Sequence, residues 1–207
     1  GAYGNRNFFM YFSEWFGSTW YPEQYKAIES KYAELGGETG KLGAAVSSIQ
    51  HNESTGIFYQ KYQNGYIVGT DATGYWESSG EIREYWKNSN FESGKLGFPI
   101  GGITLSASVD GVYYQKFQNG YIIGSEKTGY FESMLGSIRD YWAASGFEAG
   151  KLGLPISDIK KNESTGIYYQ QYQNGYIVGT NATGYWESMG SIRDYWAASG
   201  FEAGKLG

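Results

Sequence analysis

A chain of 207 residues with 32 Gly, 21 Tyr, 11 Phe, 7 Trp and only 3 Pro is long enough to bury a core, but it is far from an average globular mixture. Its 19% aromatic and 18% charged residues exclude the signature of disorder, and a net charge of -5 without any basic run excludes a nucleic-acid partner. The absence of Cys removes disulfides, thiolate metal sites and thiol catalysis. Without a long apolar run or a charged start leading into an apolar segment, neither a membrane span nor an export signal is expected.

Residues 1–20 include "NFFMYFSEWF", which is too aromatic for a free linker and is expected to dock on the first repeat. Residues 21–42 form half of a repeat: "AIESKYAELGGETGKLG" aligns with the later "SIRDYWAASGFEAGKLG". Pro22 suits the first turn of a helix there. In this half repeat Ala33 is read at the position of Trp86, Trp142 and Trp196, and Glu29 at that of Arg83, Arg139 and Arg193. The tripeptide Lys-Leu-Gly then recurs from Lys41, Lys95, Lys151 and Lys205, at spacings of 54, 56 and 54. This gives complete units at 43–96, 97–152 and 153–207, and an array that is expected to be part of a longer one.

Within a unit, "GIYYQQYQNGYIVGT" (Gly166 to Thr180) is rich in Tyr and β-branched residues and is broken by Asn174-Gly175, the strongest short hairpin signal. A two-residue turn there sets Tyr172 opposite Ile177 and Gln170 opposite Gly179. On the other face it sets Gln173 opposite Tyr176 and Gln171 opposite Val178. "TNATG" makes a second turn into a short third strand, Tyr185 to Ser188. In "GSIRDYWAASG", Ser191 is placed to cap a short helix, with Asp194 three residues on, and Gly200 to end it in the left-handed conformation. Gly36, Asn90 and Gly146 hold the same terminal position in the other copies. The recurring Arg in the first helical turn is expected to pair with Glu77, Glu132 or Glu187 of the preceding strand. Where Phe117 replaces Tyr62 and Tyr172, and Phe58 replaces Tyr113 and Tyr168, the ring matters and the hydroxyl does not. These elements give an α+β fold class: a tandem repeat of hairpin, short third strand and short helix, forming an open superhelix or a closed pseudo-symmetric ring.

"KLGFPI" at Lys95 to Ile100 and "KLGLPI" at Lys151 to Ile156 resemble the signature of the LGFP repeat family. The resemblance continues through Phe117, Gly120, Ile122, Thr128, Gly129, Gly136, Ile138, Trp142 and Gly150, and covers residues 28–207. It departs at Ala44-Ala45, where Phe or Leu and Pro are expected. The resemblance implies non-catalytic modules of secreted cell-wall proteins in bacteria with mycolic-acid envelopes. Such modules follow mycolyltransferase or peptidoglycan amidase domains, as in a corynebacterial mycolyltransferase, and hold them on wall polysaccharide such as arabinogalactan or peptidoglycan.

The residues themselves favour binding over catalysis. Glycoside hydrolysis uses two carboxylates at fixed separation, whereas Glu77, Glu132 and Glu187 recur singly per unit. The lone His51 has Lys161 as its counterpart, and the acidic spacings match no metal motif, so no cofactor or metal is expected. Asn52-Glu-Ser, Asn162-Glu-Ser and Asn181-Ala-Thr read as turns. A sugar presents a C–H face to an aromatic ring and hydroxyls to amides and carboxylates. The candidate glycan-binding residues are Tyr59, Gln63, Tyr66, Tyr75 and Trp76; Tyr114, Gln118, Tyr121, Tyr130 and Phe131; and Tyr169, Gln173, Tyr176, Tyr185 and Trp186. A purely structural spacer or a protein–protein interaction module is the alternative.

Overall fold

The computed structural model describes residues 20–189. The expectations for the aromatic lead-in and for Ser191, Arg193, Trp196 and Gly200 lie outside the described residues. Helix α1 spans Pro22–Glu34 with Pro22 at its first position, α2 spans Gly80–Asn88 and α3 spans Ser137–Ala144. Three four-stranded antiparallel sheets succeed one another along the chain. The first holds β1 (Gln50–His51), β2 (Phe58–Tyr62), β3 (Gly65–Thr70) and β4 (Gly74–Ser78) in that order. The second holds β5 (Thr104–Leu105), β6 (Tyr113–Phe117), β7 (Gly120–Ser125) and β8 (Gly129–Met134). The third holds β9 (Lys160–Lys161), β10 (Tyr168–Tyr172), β11 (Gly175–Thr180) and β12 (Gly184–Met189). The two-residue edge strands β1, β5 and β9 carry no sequence signal of their own.

The α+β tandem-repeat architecture stands, and each helix is ended as expected, by Gly36 at φ 99°, Asn90 at 71° and Gly146 at 104°. The expected side-chain cap has no counterpart at α3. Gly136 is the N-cap there, Ser137 is already helical, and no side chain caps the helix. Asn52 and Asn162 do make turns, each Oδ1 accepting from the backbone N–H two residues on, at 3.0 and 2.9 Å.

The hairpin register needs correction. Tyr172 faces Gly175, Gln171 faces Tyr176, Gln170 faces Ile177 and Tyr169 faces Val178, so the two-residue loop is Gln173-Asn174 rather than Asn174-Gly175. The reason is tertiary. The N–H groups of Gln173 and Asn174 donate to the carbonyls of Leu154 and Leu152 at 2.9 and 3.1 Å, and the Asn174 amide donates to the Lys151 carbonyl at 3.0 Å. The loop is thus clipped onto the Lys-Leu-Gly segment, and that anchorage outweighs the local Asn-Gly preference. The slip moves partners by two residues, so each side chain keeps its face.

One face of each sheet is core. In the first, Phe58, Tyr62, Ile67 and Tyr75 pack with Tyr25, Ile28 and Tyr32 of α1 and with Leu42. In the third, Tyr172 and Ile177 pack with Ile138 and Trp142 of α3 and with Leu152 and Leu154. Each of these hairpins is therefore covered by the helix that precedes it in sequence. Each of the fully buried side chains contributes roughly 1.5–3 kcal/mol.

The position of Ala33 also needs correction. Trp86 Nε1 donates to the Gly97 carbonyl at 3.0 Å and Trp142 Nε1 to the Gly153 carbonyl at 2.9 Å; in α1 the Tyr32 hydroxyl donates to the Gly43 carbonyl at 2.7 Å. Tyr32, stacked on Tyr62 at 4.5 Å, is thus the counterpart of the tryptophans, one residue before Ala33. The departure at Ala44-Ala45 leaves the turn intact, since Ala45 bridges Tyr62 as Pro155 bridges Tyr172.

The described residues divide into two compact units, 20–103 with 115–118, and 104–114 with 119–189.

Candidate functional site

The face of each hairpin opposite the core carries alternating residues of the strands. In the first sheet Tyr59 faces Val68, which faces Trp76, and Lys61 faces Tyr66, which faces Ser78. Tyr59 and Tyr66 lie 6.5 Å apart at 52°, and Tyr114 and Tyr121 of the second sheet 6.3 Å apart at 56°. The helix after each of these sheets, with the 3₁₀ turn beyond it, bends over this face. The result is a cleft of about 310 Å³ between Tyr59, Tyr66, Val68, Arg83, Phe91 and Glu92. A second, of about 350 Å³, lies between the matching Tyr114, Tyr121, Ile123, Arg139, Phe147 and Glu148.

Arg83 lies over the Tyr66 ring with its guanidinium 3.5 Å from the centroid and 5.1 Å from that of Phe91; Arg139 repeats this at 3.8 Å over Tyr121 and 4.9 Å from Phe147. Their Nη1 atoms donate to Ser78 Oγ at 3.0 Å and Ser133 Oγ at 2.8 Å. Burial lowers the pKa of each guanidinium, and the adjoining Tyr66 and Tyr121 oppose the shift. The pairing expected between these arginines and the strand carboxylates needs correction. Glu77 precedes Ser78 by one residue and so faces the opposite side, where it accepts from Lys41 Nζ at 3.0 Å and from the Ile103 N–H at 2.8 Å. Glu187 likewise pairs with Lys151. The carboxylates at the clefts come instead from Phe-Glu pairs after the helices. Glu92 accepts from Thr55 Oγ1 at 2.9 Å and Glu148 from Ser106 Oγ at 2.7 Å.

The candidates named from sequence separate into distinct places. Tyr59, Tyr66, Tyr114 and Tyr121 line the two clefts. Tyr169 and Tyr176 hold the same register in the third hairpin, and the residues after β12 lie outside the described ones. Tyr75 is core, and its hydroxyl donates to Asp71 Oδ1 at 3.0 Å. Trp76 is half-buried, its Nε1 donating to the Thr73 carbonyl at 2.8 Å and its ring face covered by Lys31 at 4.5 Å. Tyr130, Phe131 and Tyr185 are half-buried, and Trp186 is exposed. Gln63, Gln118 and Gln173 are exposed, but their amide oxygens are engaged, accepting from the N–H groups of Ala44, Phe98 and Leu154 at 3.1, 3.0 and 2.9 Å. Arg83, Arg139, Phe91, Phe147, Glu92 and Glu148 were missed as cleft residues. The signal that could have found them is the Phe-Glu pair just beyond the helix, repeated in every full copy.

Each cleft offers two phenols, a fixed cation and one carboxylate around a partly apolar floor. That combination contacts hydroxyls and C–H faces together. Among the described residues no group of three or more His, Asp and Glu side chains could hold a metal, and no helix is long and apolar enough to cross a membrane.

The fold and the recurring cleft define a tandem-repeat protein of small α+β units. The family model of the LGFP repeat matches residues 42–94, 96–150 and 152–204, and the chain belongs to that family. No curated protein matches it.

Proposed function

We propose that the chain is a non-catalytic module of the bacterial cell envelope. Its repeats bind wall polysaccharide, such as arabinogalactan, and hold a linked secreted enzyme, such as a mycolyltransferase, at the wall. The observation that carries this reading is that the same aromatic cleft with one cation and one carboxylate is built twice from matching residues, at Tyr66 with Arg83 and at Tyr121 with Arg139. A repeated site suits a repeating ligand. One roughly millimolar site is weak, but linked copies on one polymer gain on the order of 10²–10⁴ in avidity. Glycoside hydrolysis, by contrast, uses a pair of carboxylates, and the lining of each cleft supplies one.

The test is retention on isolated arabinogalactan, on peptidoglycan and on delipidated wall. The expected result is retention on at least one of them, lowered about tenfold or more when Tyr66 and Tyr121 are both changed to Ala, a change confined to the face opposite the core. Failure to be retained on all three refutes the binding reading and leaves a structural spacer. Release of sugar or ester by the chain alone overturns its non-catalytic assignment.

A further inference from the structure

One groove is filled in the first repeat and open in the third. Ahead of α1, the Tyr21 ring meets Phe58 edge-on at 4.8 Å and 74°, and His51 at 4.8 Å and 66°. One turn on, Gln24 donates to Asp71 Oδ2 at 2.7 Å, beside the bond from Tyr75. Phe58 and Tyr75 consequently keep only 6% of their surface each. In the third repeat the matching positions are Tyr168 for Phe58, Tyr185 for Tyr75, Ile159 for Ile49 and Asn181 for Asp71. Helix α3 begins only at Ser137, with two residues between it and the end of β8 at Met134, so it has no lead-in like the one that carries Tyr21 into α1. A groove of about 230 Å³ is left between Leu135, Ile138, Ile159, Tyr168, Asn181 and Tyr185. Tyr168 keeps 38% of its surface and Leu135 56%; in the second repeat Tyr113, at the position of Tyr168, keeps 41%. The rim has also gained positive charge. Where the first repeat has Gln50 and His51, the third has the exposed Lys160 and Lys161, with Lys161 Nζ 5.6 Å from the Tyr168 ring centroid.

We propose that this groove docks a tyrosine side chain of a partner polypeptide that carries a carboxylate close by, and that the first repeat holds such an occupant built in as Tyr21-Pro22-Glu23. The filled copy shows that the aromatic floor accepts a ring edge-on. The exposed Lys160 and Lys161, the latter 3.8 Å from Glu163, favour a carboxylate carried beside the docked ring. This site shares no lining residue with the Tyr66 and Tyr121 clefts and does not depend on their ligand.

The probe is a synthetic peptide of this chain's own residues 20–34, WYPEQYKAIESKYAE, titrated into the full chain while the ring resonances of Tyr168 and Tyr185 are followed. Saturable shifts are expected at high micromolar to millimolar concentration, of the order of a single-anchor contact. The Tyr21→Ala peptide, the Tyr168→Ala protein and a Leu135→Asp protein are each expected to bind about tenfold more weakly. Raising the salt is expected to weaken binding several-fold, given a Debye length of about 10 Å at 0.1 M. A Tyr66→Ala protein, altered only in the proposed glycan cleft, is expected to bind the peptide as before. Absence of saturation up to several millimolar, equal binding by the Tyr21→Ala peptide, or a shift of these rings by arabinan oligosaccharide and not by the peptide overturns the assignment.

Discussion

At the residue scale, the Leu-Gly-x-Pro motif is a clamp. Leu42, Leu96 and Leu152 are fully buried, and the glycines after them sit at φ of 73°, 75° and 74°. An added Cβ on Gly43, Gly97 or Gly153 would fall 2.4 to 2.6 Å from the amide oxygen of Gln63, Gln118 or Gln173. Both backbone sign and space thus call for glycine. Gly97→Ala is expected to cost about 1–3 kcal/mol. Gly97→Ala combined with Gln118→Ala removes the overlap but not the strained φ, so it should regain only part of that loss in urea unfolding. The glycine carbonyl is equally committed, since Trp86 and Trp142 donate to Gly97 and Gly153. Trp86→Phe leaves the Gly97 carbonyl unpaired in the core and should destabilise by about 1–3 kcal/mol beyond the loss of ring volume. Tyr32→Phe is the matching change in α1. The sequence made the glycine and its leucine visible as a motif. It did not reveal the glutamine, because a side chain some twenty residues away becomes a partner only once the hairpin folds back.

At the element scale, local signals located the hairpins and helices, and packing decided their details. The hairpin reading set Tyr172 on the same face as Ile177, and both lie in the core, because a strand's alternation survives a change of partner. It misplaced the loop by one residue, because the anchoring carbonyls of Leu152 and Leu154 are not written near Asn174-Gly175. The buried ladder also sets a pH dependence. Burial pushes the Tyr172 phenol well above its ordinary value of 10.0, and the charge of Arg139 opposes this only in part. Burial likewise raises Tyr75, followed by its bond to the Asp71 carboxylate and that group's charge. Between the unfolded and folded pKa values the native state holds more protons than the unfolded one, so stability is fully present below pH 10 and falls as pH rises above it. Tyr172→Phe, which copies the native Phe117 of the second repeat, also removes the hydroxyl's 3.2 Å bond to buried Gln170 Oε1, so it should cost about 1–3 kcal/mol at neutral pH while flattening the alkaline loss, as read from denaturant midpoints across pH.

At the scale of the whole molecule, the unit that repeats in sequence differs from the unit that packs. The family matches run from Leu to the segment just before the next Lys-Leu-Gly, and in the first two the hairpin comes first and the helix last. Burial instead joins each helix to the hairpin after it: Tyr25, Ile28 and Tyr32 to Tyr62 and Ile67, and Ile138 and Trp142 to Tyr172 and Ile177. A fragment of residues 20–78 keeps one such cluster whole and is expected to unfold cooperatively. A fragment of residues 43–79 has the same hairpin but bares Tyr62, Ile67 and Tyr75, and is expected to show no cooperative transition by circular dichroism. Buried glutamines tie successive repeats further. Gln115 Nε2 donates to the Glu77 carbonyl at 2.9 Å and Gln170 Nε2 to the Glu132 carbonyl at 2.7 Å.

Sequence alone sufficed for the period, the α+β class, the family and the core-facing side of each strand. All of these rest on local conformational preference or on side-chain alternation, which neighbours along the chain cannot undo. Tertiary packing was needed to settle that Arg83 lies over Tyr66 while Glu77 takes Lys41, that Arg139 lies over Tyr121, that Gln63 and Gln118 brace a turn, and that Tyr75 is core while Tyr168 is open. Those choices turn on which element lies across a given face. A copy of the same phrase can bury its ring or bare it according to whether a longer helix covers that face, as α1 does in the first repeat and α3 does not in the third.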